Sequence, residues 1–334
     1  MKNRHLSFAA LSIDSLLSAI IAIAVGLATP ALAQEWPAKP MRVVIPFAAG
    51  SVSEAIFRVM APSVESRLGQ RFVVESKPGA DGHIGVGEVI RSAADGYTLL
   101  LAPTANFAVT PHMFKNLGFD PLTALDPISL LADAPLLAVT GANVPSRSLK
   151  EFVEYVRASP GKYNYGSPGS GSPAHLAGAA FSQMTGNAMV YIPYKGTVPM
   201  ITAMLAGDVQ AAFPTLTGII GQLKAGKLRA IALLGAQRTA LLPDVSTATE
   251  QGFPGIEADA WNALFAKSGT QPAIIDRMHR ESVRILSSAE VRESLLKQGM
   301  EVEVSDPKVL GQRVRDDRAK WARAIKEFNV KAED

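Results

Sequence analysis

The chain has 334 residues, 48% of them hydrophobic, with 33 Lys and Arg against 30 Asp and Glu for a formal net charge of +3. It has no cysteine, which excludes disulfide staples and thiolate metal sites. The charge is too balanced for a nucleic-acid protein, and no Lys/Arg block marks a phosphate-tracking face.

The chain opens with the basic residues Lys2, Arg4 and His5. An apolar run from Leu16 to Ala28 follows, and then Thr29-Pro30-Ala31-Leu32-Ala33. This charged, apolar, small-residue order is that of a secretory signal covering residues 1–33, with cleavage expected after Ala33 and a periplasmic destination. The run is shorter than the roughly 20 apolar residues a spanning helix needs. An exported protein without disulfides must be held by its core, and about 300 residues suffice for two domains.

From Met41 onward, short apolar strands alternate with amphipathic helices, the pattern of βαβ units on mostly parallel sheets. Met41–Pro46 is the first predicted strand. A helix follows with Ile56, Val59, Met60, Val64 and Leu68 at helical spacing, kinked at Pro62 and ended by Gly69. Phe72–Glu75 is the next strand; the turn-rich segment Lys77–His83 leads into a helix to about Ala93, and Tyr97–Ala102 is the third strand. Later strands are predicted at Lys162–Tyr165, Val190–Pro193, Val209–Phe213 and Leu228–Leu233, with helices starting at Pro173 and ending near Gly207. Pro272 reads as the first residue of a helix capped by Thr270, and a charged helix runs from Pro307 to about Phe328.

Three glycine-containing loops each join a strand to a helix: Pro46–Glu54, Lys77–Gly85 and Gly166–His175. In open α/β sheets ligands bind beyond the carboxyl ends of the strands, where helix N-termini offer unpaired N–H groups and a positive dipole end. Three such loops on one cleft would hold a carboxylate without a cationic side chain. Ser51 and Glu54 also have the spacing of a capping box, with Glu54 reaching back to the Ser51 N–H. Ser172 reads as the cap of the helix at Pro173, with His175 facing the cleft. Catalytic and cofactor signatures are missing: there is no G-x-S-x-G elbow, no H-E-x-x-H and no P-loop. The stretch from Gly169 to Ala174 imitates a dinucleotide fingerprint, but the following segment Val190–Lys195 lacks the acid that would hold a ribose. No cofactor, no metal and no enzymatic activity are expected.

The run WPAKPMRVVIPFAAG with Ser51–Arg58 resembles the opening of the substrate-binding proteins of tripartite tricarboxylate transporters, the Bug family. Further matching stretches, in the family's order, are LGQRFVVESKPGADGHIG, DGYTLL, NYGSPGSGSPAHLA, YIPYKGTVPMITAMLAGDVQ and WNALFAKSGTQP. The resemblance implies an α/β, two-lobe periplasmic binding fold of the type II kind, hinged by crossover strands. One lobe would take residues 35–138 and 261–334, the other 139–260. A small carboxylate, a dicarboxylate or an aromatic acid, would be captured by lobe closure and delivered to the transporter's membrane subunits by a monomeric receptor. Carried over by position, the ligand contacts are Phe47, Gly50, Ser51, Glu54, Ala80, His83, Thr104 and Asn106 from one lobe. Ser167, Gly169, Ser172, His175, Tyr194, Pro214 and Thr215 come from the other, with Trp261 near the crossover. This chain departs from the family's usual second glycine at Ser51, aspartate at Glu54, frequent glycine at Asp81 and acid at Pro214, which leaves the dicarboxylate assignment open. An exported enzyme using His175 or Glu54, and a ligand-sensing subunit for a membrane kinase, are the alternatives. The first would show chemical turnover; neighbouring genes would identify the second.

Overall fold

The computed structural model describes residues 36–114, 117–169, 172–186, 188–258, 260–328 and 330. The expected leader, residues 1–33, lies outside them. The residues from Lys39 onward form one compact unit containing two mixed sheets.

The first sheet has six strands in the order β11-β4-β10-β3-β1-β2. They are β1 (Met41–Ile45), β2 (Phe72–Ser76), β3 (Thr98–Pro103), β4 (Leu125–Asp133), β10 (Trp261–Lys267) and β11 (Glu301–Ser305). The parallel pairing expected from the βαβ pattern holds for β2, β1 and β3. Strands β10, β4 and β11 join antiparallel, because the chain leaves the sheet after β4 and re-enters through β10. The second sheet runs β7-β6-β8-β5-β9, built from β5 (Leu137–Gly141), β6 (Tyr163–Ser167), β7 (Met189–Pro193), β8 (Ala211–Ala212) and β9 (Leu228–Leu233). It too is parallel on one side and antiparallel on the other.

Apolar runs become central strands here. Val43, Val44, Ile45, Leu99, Leu100 and Leu101 are all fully buried, since helices cover both faces of β1 and β3. The first helix, α1 (Val52–Leu68), buries Ile56, Phe57, Met60, Val64 and Leu68. It runs unbroken through Pro62, whose ring lies on the solvent side. Gly69 ends it in the left-handed conformation at φ 66°, its N–H returning to Glu65. The helix Pro272–Leu286 begins as expected, but Gln271 holds the cap position. The Thr270 hydroxyl instead donates to the Lys267 carbonyl at 2.7 Å, closing the strand end before the helix starts. Strand Val209–Phe213 shrinks to the two residues of β8, although on either side of them Gln210 N still donates to Asn164 O and Leu137 N to Pro214 O.

Two segments carry the chain between the sheets. Asp133 to Leu137 leaves the first sheet; the return ends at Ala260 and Trp261. They run side by side: Ala134 N donates to Ala260 O at 3.3 Å and Ala260 N to Asp133 Oδ1 at 3.2 Å. A third connection is the C-terminal helix Pro307–Glu327. Leu310 and Val314 pack into the core of the first sheet. Trp321, about two turns beyond Val314, is buried in the cluster that contains Phe152, Phe181 and Phe213 of the second.

Candidate functional site

The loop after β1 is fixed by its own polar side chains. Ser51 is the N-cap of α1, its Oγ accepting from Glu54 N at 3.4 Å. The Glu54 carboxylate turns back as a capping-box acid does, but one residue further than expected: Oε2 accepts from Gly50 N at 2.7 Å, while Ser51 N donates to Ala48 O. Oε1 accepts two bonds from Arg58, the shorter-range one from Nη2 and one from Nε at 2.8 Å. Glu54 is 4% exposed. The Gly50 N–H, and then the Arg58 guanidinium, hold its carboxyl below the usual carboxylate range despite burial. An i,i+4 Glu–Arg pair was visible in the sequence and marks this acid as already neutralised.

Directly beyond lies a cavity of about 200 Å³ at the carboxyl ends of β1 and β3. Phe47, Ser51, Val52 and Ser53 line it together with Pro103 and Asn262. Ala134 and Ala260, from the two crossover segments, and Thr215, from the second sheet's side, complete it. Of the predicted residues, Phe47, Ser51 and Thr215 line this space. Ser53 and Asn262 were not foreseen. Both are 2% exposed, and Ser53 Oγ donates to Asn262 Oδ1 at 2.6 Å across 209 residues of sequence. No local pattern predicts such a pair. Ala134, Ala260, Val52 and Pro103 were likewise missed, because only the crossover geometry brings them there.

The second loop gathers Ala80, His83 and Asn106. Ala80 and Asp81 adopt left-handed φ values of 46° and 48°, a conformation that costs any residue with a Cβ. Asn106 braces the turn: it is 1% exposed and its Nδ2 donates to Asp81 O at 2.9 Å. A Cβ on Gly82 would lie 2.3 Å from that nitrogen, so glycine is required there. His83 Nδ1 lies 3.1 Å from Ala80 O, and its ring packs between Phe114 and Phe119. Burial lowers its pKa and raises that of the Asp81 carboxyl.

The third loop is held by aromatic packing. Ser172 caps the helix Pro173–Met184, accepting from His175 N at 3.1 Å. The ring of His175 stacks on Tyr191 at 4.0 Å between centroids and 9° between planes. Ser167 Oγ lies 2.8 Å from the Tyr191 hydroxyl, and Ser167 and Ser172 both donate to Gly169 O. Ser167, Gly169, Ser172 and His175 therefore form one group with Tyr191. Tyr194 covers Gly166 from the neighbouring loop, where a Cβ would come within 3.2 Å of its ring.

The remaining predicted residues are engaged with the backbone or the core. Thr104 N and Oγ1 both donate to Trp261 O. The indole of Trp261 is fully buried beside Phe107 and donates to Asp317 Oδ2 at 2.7 Å. Pro214 is buried, and its carbonyl accepts from Leu137 N. Among the described residues no cluster of His, Asp and Glu could hold a metal ion.

Two α/β sheets joined by paired crossovers, with a cavity at the strand ends between them, define a solute-binding protein. The tripartite tricarboxylate transporter family receptor profile matches residues 56–330, and the chain belongs to that family. It is 34% identical to Protein BugT of Bordetella pertussis over 92% of this chain and 94% of that one. The periplasmic binding protein BugD has a TM-score of 0.78 at 32% identity, covering 89% of this chain and all of BugD. A structure of an R. palustris protein with adipate has a TM-score of 0.82 at 28% identity, covering 90% and 100%. MatC from Rhodopseudomonas palustris with bound malate has a TM-score of 0.76 at 28% identity, covering 87% and 100%. The family is one of transport receptors, so the chain is a binding protein and not an enzyme.

Proposed function

We propose that this chain is a periplasmic receptor that captures a small carboxylate between two lobes and delivers it to the membrane subunits of a tripartite transporter. The cavity beside the first turn of α1, walled by Thr215 from the second sheet and by both crossover segments, carries this reading. The α1 N-terminus supplies orphan N–H groups and a favourable dipole for an anion. Relatives that hold adipate and malate support the same ligand class. The lobes would be residues 35–138 with 261–334 and residues 139–260, rotating about the paired segments at Ala134 and Ala260. Contacts made by both lobes exist only when the cleft is shut, so ligand shifts the population toward closure. No helix among the described residues is long and apolar enough to cross a membrane.

Thermal unfolding of the mature protein against mono- and dicarboxylates and their amides tests this. A ligand at about a hundred times its Kd adds about 2.7 kcal/mol, a visible rise in Tm. A rise with an acid and none with its amide is expected. Stabilisation by neutral or cationic compounds alone would overturn the reading.

A further inference from the structure

Two residues on the first sheet's side reach across to the second. Glu301, at the head of β11, pairs with Asp133, so it stands where the chain leaves the first sheet. Its Oε1 accepts from the Thr239 hydroxyl and from Ala240 N at 3.1 Å, both in the loop that follows β9. Thr239 is 4% exposed, and its Oγ1 accepts in turn from Leu241 N at 3.1 Å. A carboxylate of one side therefore fixes a loop of the other. Two residues before it, Gly299 O accepts from Thr217 Oγ1 at 3.3 Å.

Gly299 is glycine for two reasons, and only one is local. It follows the helix Ala289–Lys297 at φ 81°, its N–H returning to Leu296 O and Met300 N to Leu295 O, each at 3.0 Å. That is a left-handed helix stop, which asparagine also tolerates. A Cβ on Gly299, however, would lie 3.1 Å from both Leu216 Cγ and Thr217 N, and 3.2 Å from Thr217 Cα. The first turn of the helix Leu216–Lys224 thus rests on bare backbone. Its N-cap is Thr215, which lines the cavity with Ser53 and Asn262 of the first sheet's side. At Gly69, with φ 66°, a Cβ would meet nothing within 4 Å.

Resting on the proposed receptor function, we propose that the turn 299–301 is the stop that sets how closely the two sides meet. Gly299 and Glu301 are then positioning residues for Thr215. Their hydrogen bonds belong to the arrangement in which both sides wall the cavity, so they add to affinity without touching the ligand. A side chain at 299 wedges the sides apart, and loss of the acceptor at 301 releases the loop 239–241.

The chain has no cysteine, so Ser66→Cys on α1 and Ala206→Cys on the helix Thr197–Ala206, both exposed, place one spin label on each side. Label distances from electron–electron double resonance, with calorimetric titration by malate, adipate, benzoate and benzamide, test the proposal in the mature protein. Gly299→Asn and Glu301→Ala should each broaden the distance distribution and weaken the tightest-binding acid about tenfold. Glu301→Gln keeps the acceptor, and Gly69→Asn puts the same new side chain at a left-handed stop in open space. Both should leave the distances unchanged and the affinity within about twofold of wild type. Lower melting temperatures with unchanged distances and affinities would make the turn merely structural and overturn the inference, with the receptor function standing. If benzamide binds and no acid does, the receptor reading fails, and the distances alone then decide the role of the turn.

Discussion

The first and third loops share one backbone device and differ in how it is locked. Each ends on a serine N-cap that accepts the N–H three residues on, at 3.4 Å for Ser51 and 3.1 Å for Ser172. In the first loop the third-position side chain is a carboxylate, which consumes the Gly50 N–H and an arginine. In the third it is an imidazole, which stacks on Tyr191 and leaves the loop backbone to hydroxyl partners. The same cap can therefore be tied down ionically or by aromatic packing, and the choice decides which N–H groups stay available to a ligand.

The largest test of that comparison is His175→Ala. It removes a 6%-exposed ring from a stacked pair and should cost about 2 kcal/mol in urea unfolding. A loss below about 0.5 kcal/mol would mean that stacking does not hold the third loop. Glu54→Ala strands the Gly50 N–H and should cost about 1–2 kcal/mol.

The two loops should also separate by pH. Because Glu54 titrates below its unfolded value, its contribution is complete above the ordinary carboxylate pKa. It is lost as pH falls through the folded one. Wild type minus Glu54→Gln should show that loss on acidification, whereas an acid-independent difference would refute the assignment. The Arg42–Glu75 pair at the edge of β1 and β2 behaves in the same sense, with Glu75 lowered to about 2 chiefly by its bond to Arg42.

The second loop provides a gain. Asp81→Gly relieves a left-handed residue at φ 48° and should stabilise by roughly 0.5–1 kcal/mol, read as a higher denaturation midpoint. The smallest effect is expected of Arg58→Ala. Its side chain is 73% exposed, so its ion pair should be worth a few tenths of a kcal/mol, measurable only by a double-mutant cycle with Glu54.

Local chemistry alone determined much of this protein. Strands β1 and β9, the serine caps at Ser51 and Ser172, the left-handed stop at Gly69 and the charged C-terminal helix depend on neighbours within a few residues. Their periodicity and capping were therefore legible in order along the chain. So was the candidate anion chemistry of the strand-to-helix loops, since helix ends bind anions whatever the surrounding fold. Only the tertiary structure decided where the crossovers lie, that β4 and β10 pair antiparallel, and that β8 keeps two residues. It alone brought Ser53 to Asn262 and put Ala134, Ala260 and Thr215 around one cavity. Those contacts join residues far apart in sequence through sheet order, which no local period encodes.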